Sequence, residues 1–247
     1  MQVIVIIPSR LNSTRLPRKV LLPINGKPLI QRVFENAKSA SLVDEVYIAT
    51  DSEEVKNTVE SFGGKCIMTG SEGIFSGSDR VAKAAKQVDH DIVVNVQGDE
   101  PFMTGKMIDE VLRPMLEEKD LQVCTLCRKI IKEDEFDDPG VVKVVRDING
   151  NGLYFSRHKI PYPRNTENYQ LYEHLGIYAF KKDFLQQFIA WEPTPLEISE
   201  SLEMLRIIEH TIRLRVIETS EDTTHYLSVD TKEDLAKANE YWDIVHK

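Results

Sequence analysis

Val3-Ile-Val-Ile-Ile-Pro-Ser-Arg-Leu-Asn-Ser-Thr-Arg-Leu-Pro-Arg-Lys19 runs from an apolar strand straight into a basic, hydroxyl-bearing loop. An uninterrupted apolar strand is buried on both faces, as in parallel sheets covered by helices. Open α/β sheets place their ligands beyond the carboxyl ends of such strands. The loop is electrostatically unlike the rest of the chain. The first 34 residues carry Arg10, Arg15, Arg18, Lys19, Lys27 and Arg32 and no acid, whereas the whole chain has 31 basic and 40 acidic residues. A local charge of +6 is thus followed by −15 over the remainder. Positive charge held at a strand end in an acidic protein points to a small anion, and phosphate is the commonest. The alternative is a solvated basic loop, which the position after a buried strand disfavours. Arg15 and Arg10 offer planar forks and Lys19 a compact point charge. With the hydroxyls of Ser13 and Thr14 they span ten residues, enough to wrap a triphosphate.

Outward from this stretch the chain alternates short β-rich runs with helix-length segments. Strands are expected at 3–7, 45–49, 66–68 and 92–96. Helices are expected at 28–40, at 51–62 where Gly63-Gly64 stops the run, and at 78–88. Repeated βα units with continuous apolar strands imply a mostly parallel sheet flanked by helices, an α/β fold of Rossmann-like type. The regularity breaks after a helix at 105–118. Segments 122–128, 141–147, 152–156 and 176–180 are strand-like and joined by loops, with Asn149-Gly150 as a hairpin signal. This stretch is expected to form a small antiparallel lobe. Helices return at 183–190 and 197–209, the latter with Ile198, Leu202, Leu205 and Ile208 as a core-facing stripe. The chain closes on an amphipathic helix at 231–245 capped by Asp230 or Thr231. No repeat or linker appears. The expectation is one domain, with a nucleotide-binding part at roughly 1–120 and 215–247 and a lobe at roughly 121–214.

At 247 residues, 41% hydrophobic and 29% charged, the composition is that of an ordinary globular protein. Net acidity disfavours nucleic-acid binding, which wants a broad basic face. No run of about 18 apolar residues exists, so no membrane span is expected. The first residues show neither a basic n-region nor a small-residue cleavage site, so a cytoplasmic location is expected. Cys66, Cys124 and Cys127 form no even disulfide framework. Cys124 and Cys127 have redox-motif spacing, but on a strand positions three apart face opposite ways. No second pair completes a zinc site, so they read as buried structural thiols.

The usual nucleotide signatures are absent: there is no G-x-x-x-x-G-K-[ST] and no G-x-G-x-x-G after the first strand. A second informative segment is Asn95-Val-Gln-Gly-Asp-Glu-Pro101, at the end of the strand at 92–96. A carboxylate there, beside a glycine that permits close approach, suits Mg²⁺. Asp99, directly after Gly98, is preferred over Glu100; a turn or helix-capping aspartate is the plain alternative. In Ser228-Val-Asp-Thr231, Asp230 reads as a cap for the last helix or as a second metal carboxylate.

These residues match a family. The opening stretch with Asn25-Gly-Lys-Pro28, Ala49-Thr-Asp51, Ser76-Gly-Ser-Asp-Arg80, Asn95-Val-Gln-Gly-Asp-Glu-Pro101, Val142-Lys-Val-Val145, Leu153-Tyr-Phe-Ser-Arg157, Ile160-Pro161, His174-Leu-Gly-Ile-Tyr178 and Val229-Asp-Thr231 resembles the 3-deoxy-manno-octulosonate cytidylyltransferases, also called CMP-Kdo synthetases. The matches run in order over nearly the whole chain. The resemblance implies a Rossmann-like nucleotidyltransferase, a homodimer, serving lipopolysaccharide synthesis by joining CTP to a 3-deoxy-octulosonic acid. Carried over by position, Pro8, Arg10, Ser13, Thr14, Arg15 and Lys19 hold the triphosphate end of CTP. Ser76, Ser78, Arg80 and Gln97 approach the cytidine. Asp99 and Asp230 are the Mg²⁺ carboxylates, and Arg157, His174, Tyr178 and Glu203 contact the sugar acid. Lys19, Arg15 and Asp99 are the expected catalytic groups.

Two positions depart from the family pattern. Met204 follows Glu203 where glutamine is common, and Ser228 precedes Val-Asp-Thr where glycine is common. Both leave the sugar acid open among Kdo, its 8-amino form and a nonulosonic acid. Outside this enzyme class stand a silent nucleotide-binding regulator, which has no need of a metal clamp, and a dehydrogenase, which lacks its glycine fingerprint.

Overall fold

β1 (Val3–Pro8) is buried at all six positions, and each fully buried Val or Ile stabilises the fold by about 1.5–3 kcal/mol. It belongs to a computed structural model that describes residues 1–165, 167 and 169–245. Two compact units make up the chain, Met1–Asp109 with Asp222–Lys247, and Glu110–Glu221.

In the first unit β1 is followed by a short antiparallel pair, β2 (Pro23–Ile24) and β3 (Lys27–Pro28), turned by Asn25 and Gly26 at φ 45° and 79°. Next come α1 (Leu29–Lys38), β4 (Glu45–Thr50), α2 (Glu53–Ser61), β5 (Lys65–Met68), α3 (Gly77–Ala85) and β6 (Ile92–Val96). α1 buries Leu29, Ile30, Val33, Phe34 and Ala37 on one stripe. α2 is capped by Ser52 and stops just before Gly63, φ 81°. The strands lie in the order β6-β1-β4-β5, and the pairs β6–β1, β1–β4 and β4–β5 are all parallel. The chain steps one way from β1 through β4 to β5, then returns to the other side of β1. Right-handed crossovers therefore put α1 and α2 on one face and α3 on the other. The direction reverses between β1 and β6, and that switch point is where such sheets open a crevice.

α4 (Gly105–Glu117) leads into the second unit, which contains β7 (Val123–Lys129), β8 (Lys143–Arg146), β9 (Gly152–Ser156) and β10 (Tyr172–Lys181). α5 (Lys182–Ala190), α6 (Pro195–Glu200), α7 (Met204–Glu209) and β11 (Leu214–Glu218) follow. β10 is antiparallel to β7, β8 and β9 form a hairpin, and β11 is parallel to β7. Phe180, Phe184 and Phe188 stack at 5.8–6.3 Å in its core. Cys124 and Cys127 are fully buried and free, and burial pushes the Cys127 thiol up to about 12. Such thiols are inert.

The single helix expected at 197–209 is two. Ser201 takes a left-handed conformation, φ 53°, between α6 and α7, so Ile198 is turned out to 67% exposure while Leu202 and Leu205 stay buried. Glu197 fixes the fold-back by gripping Arg206 with both oxygens, at 2.6 and 2.7 Å.

α8 (Lys232–Val245) returns the chain to the first unit. Its cap is Thr231, whose Oγ1 accepts from Asp234 N while Asp234 Oδ2 accepts from Thr231 N. That reciprocal box leaves the Asp230 carboxylate free of capping duty. Among the described residues no helix is long and apolar enough to cross a membrane.

Candidate active site

At the carboxyl ends of β1 and β6, in the first unit, lies a cavity of about 270 Å³ lined by Pro8, Arg10, Ser13, Thr14, Arg15, Lys19, Gln97, Asp99 and Asp230 among others. Two close approaches shape it. A side chain at Gly98 would put its Cβ 2.7 Å from Ser9 Oγ and 2.9 Å from Pro8 O, and one at Gly77 would meet Gln97 Oε1 at 2.9 Å. Glycine therefore lets the β6 loop reach the end of β1, and lets α3 start against Gln97.

The basic loop is pinned where it must be. Leu16 and Val20 are buried, Arg18 pairs with Glu54, and a single 3-10 turn spans Lys19–Leu21. Arg10, Thr14 and Arg15 remain exposed. Lys19 is buried, and its Nζ donates to Asp99 Oδ2 and Asp230 Oδ1, each at 2.7 Å. Burial alone would lower its pKa, but the two carboxylates outweigh that and hold it above the ordinary lysine value. Arg15 reaches the other oxygen of Asp230 at 2.8 Å. Val229 N donates to Asp99 O at 2.9 Å, and Ser228 Oγ to Glu100 Oε1 at 2.7 Å. These bonds bring the two carboxylate-bearing segments side by side although they are far apart in sequence.

On the α3 side, Ser76 Oγ accepts from Asp79 N, and Asp79 Oδ2 accepts from Ser76 N and Phe75 N. Gln97 Nε2 donates to Asn95 Oδ1 at 2.9 Å. Two residues expected at the cytidine are engaged within the protein. Ser78 is buried, with Oγ accepting from Asn95 Nδ2, and does not line the cavity. Arg80 borders the cavity, but its guanidinium bonds Asp51 Oδ2, Thr69 Oγ1 and Gly70 O. It therefore ties the end of β4 to the loop after β5. Asp51 was passed over as a functional residue; its place at the carboxyl end of a strand was the available signal.

The four residues expected at the sugar lie in the second unit. His174 Nε2 shares a 3.0 Å hydrogen bond with Thr125 Oγ1, and complete burial depresses its pKa to about 3, so the ring is neutral. A register shift between Leu175 and Tyr178 re-aims this part of β10. The His174 and Tyr178 rings are 5.3 Å apart. The buried Tyr178 hydroxyl lacks a hydrogen-bond partner among the described residues, and burial, with a smaller push from nearby Glu203, raises its pKa. Arg157 donates to the backbone oxygens of Glu200, Ser201 and Pro139, and so fixes the turn that leads to Glu203.

No group of three His, Cys, Asp or Glu is poised to hold a metal among the described residues. The Asp99–Asp230 pair nevertheless fits a hard divalent cation of the kind that takes one or two carboxylates and completes its shell with phosphate oxygens. Both carboxylates already converge on one positive centre, the Lys19 ammonium.

A protein-family model described as cytidylyltransferase matches residues 4–219. The chain is 44% identical to the 3-deoxy-manno-octulosonate cytidylyltransferase of Chloroherpeton thalassium, over 96% of both chains. It is 44% identical to the enzyme of the same name from Pelobacter propionicus, over 97% of both. A solved structure of a CMP:2-keto-3-deoxy-manno-octonic acid synthetase complexed with CTP superposes with a TM-score of 0.93 at 39% identity, covering 99% of this chain and all of that one. With that match in sequence and fold along nearly its full length, the chain belongs to the cytidylyltransferase family, among the 3-deoxy-manno-octulosonate cytidylyltransferases.

Proposed function

We propose that the chain transfers CMP from CTP to the anomeric hydroxyl of 3-deoxy-manno-octulosonate, releasing pyrophosphate. The observation that carries this is the convergence of Arg15, Lys19, Asp99 and Asp230 at the switch point of the sheet. The sugar hydroxyl attacks the α-phosphorus in line, the new O–P bond forms, and the bond to the β-phosphate oxygen breaks. Such transfers need little covalent help, so positioning and charge neutralisation carry the rate.

Arg10, Arg15 and Lys19 hold the triphosphate, with the Ser13 and Thr14 hydroxyls as neutral donors. Lys19 and Arg15 lie where negative charge grows on the departing pyrophosphate, and charge-assisted bonds there strengthen as the bond breaks. Ser76 and Gln97 face the nucleoside, while Arg80 with Asp51 keeps that wall rigid. Asp99 and Asp230 would hold Mg²⁺, which when bound supplies Lewis-acid polarisation of the phosphate and lowers the pKa of a coordinated hydroxyl. In the second unit Arg157, His174, Tyr178 and Glu203 take the sugar acid. The neutral His174 and the Tyr178 hydroxyl serve it as hydrogen-bonding groups. The product is an activated sugar for lipopolysaccharide synthesis. A homodimer and a cytoplasmic location, where three free thiols persist, complete the proposal.

The test is pyrophosphate release from CTP against Kdo, 8-amino-Kdo and neuraminate, with and without Mg²⁺. Turnover with Kdo that needs the metal supports the proposal. Turnover confined to another sugar acid, or none with any of them, overturns it.

A further inference from the structure

Phe75, on the loop between β5 and α3, is 94% exposed and lines the same cavity as Arg15, Lys19 and Gln97. Single exposed apolar side chains are common and need no explanation, so exposure alone decides nothing. Two further observations do. The Phe75 amide donates to Asp79 Oδ2 at 2.9 Å, beside the 2.8 Å bond from Ser76 N to the same oxygen. The ring therefore stands on a fixed base at the start of α3 rather than at a free loop tip. Upstream, Gly70 and Gly73 have φ of 64° and 69°, and nothing lies within 4 Å of where a side chain would sit at either. The ring, 94% exposed, itself has open space before it.

The rest of the cavity shows what the ring is for. On the proposed function its exposed cations go to the phosphates, Lys19 bridges Asp99 and Asp230, Arg80 is held by Asp51, and Gln97 offers a polar edge. A nucleotide base also has two apolar faces, and base–aromatic stacking suits any of them. Among the lining residues only Phe75 presents an exposed aromatic plane. We propose that Phe75 is the stacking platform for the base of the bound nucleotide, covered on binding and in water otherwise. This rests on CTP being the substrate.

The test is isothermal titration, with Mg²⁺ present, of CTP and of inorganic tripolyphosphate into the wild type, Phe75→Ala, Phe75→Leu and Phe75→Tyr. Stacking of this kind predicts that Phe75→Ala weakens CTP binding about 5- to 150-fold. Tyr should restore the affinity and Leu only part of it. Tripolyphosphate, which has no base, should bind all four proteins alike, and KM for the sugar acid should not move. CTP affinity in Phe75→Ala equal to wild type would overturn the proposal, as would an equal loss for CTP and tripolyphosphate. If the wild type binds tripolyphosphate but not CTP, the substrate assignment itself fails and the platform falls with it.

Discussion

Lys19→Met removes the ammonium held between Asp99 and Asp230 while keeping most of the stem volume. Two losses follow, and their sizes separate a catalytic group from a strut. Truncating one partner of a fully buried ion pair costs about 3–5 kcal/mol, whereas an exposed pair is worth about 0–1. The Lys19 side chain is 9% exposed but its partners are 29% and 30% exposed, so water reaches the stranded carboxylates. Arg15 still neutralises Asp230. An intermediate cost of about 2 kcal/mol is expected, which in a chain of this size lowers Tm by about 4–8 °C. Loss of a preorganised donor to developing negative charge cuts kcat by about 10²–10³. Calorimetry reads the first effect. Pyrophosphate release, measured well below the Tm of the variant, reads the second. A variant that is destabilised as stated yet turns over at near-wild-type kcat would refute the catalytic role of Lys19 and leave it a structural cross-link.

Asp99→Asn should bind CTP but lose turnover by orders of magnitude, and raising Mg²⁺ should recover little; titration calorimetry and a metal-dependence curve decide it. Gly98→Ala drives a Cβ to 2.9 Å from the Pro8 carbonyl. Overpacking of this kind costs about 1–3 kcal/mol, so Tm and turnover should fall together; an unchanged Tm would show that β1 and the β6 loop do not press on one another. His174 titrates at 6.5 in an unfolded chain and at about 3 when buried. At this site the unfolded state therefore binds more protons between those values, and the contribution of His174 to stability drops on acidification by up to about 1.4 kcal/mol per pH unit, while neighbouring Glu173, raised to about 7 by burial, acts in the opposite sense. His174→Asn should therefore lose less stability on acidification than the wild type in urea titrations from pH 7 to 4.5, and a variant that keeps the wild-type slope would contradict the neutral buried ring.

The sheet was legible because β1 and β6 are nearly unbroken apolar runs, a pattern that burial on both faces imposes and that the structure repeats, both strands being buried at every position. The basic loop was legible for a different reason, since six cations without one acid in the first 34 residues, four of them in the loop, stand out in an acidic chain. What escaped depends on backbone detail or on partners distant in sequence. Ser201 carries nothing that announces a left-handed residue, so the break between α6 and α7 was hidden within one apolar stripe. Asp230 and Thr231 are both good caps, and only Asp234, three residues after Thr231, separates them. Ser78 belongs to a motif that faces the cavity, but its helical position points it at Asn95 instead. Arg80 lines the cavity as its motif leads one to expect, and what the motif does not announce is Asp51, brought near by the packing of α3 on β4 to bind the same guanidinium.

The central claim is that the basic turn after β1 grips the nucleotide's phosphates against Asp99 and Asp230. Crystals soaked with CTP test it most directly. Density for the triphosphate is expected within hydrogen-bond reach of Arg10, Arg15 and Lys19, with a cation against Asp99 and Asp230. Nucleotide bound elsewhere, with Lys19 still seated between the two carboxylates, would contradict it.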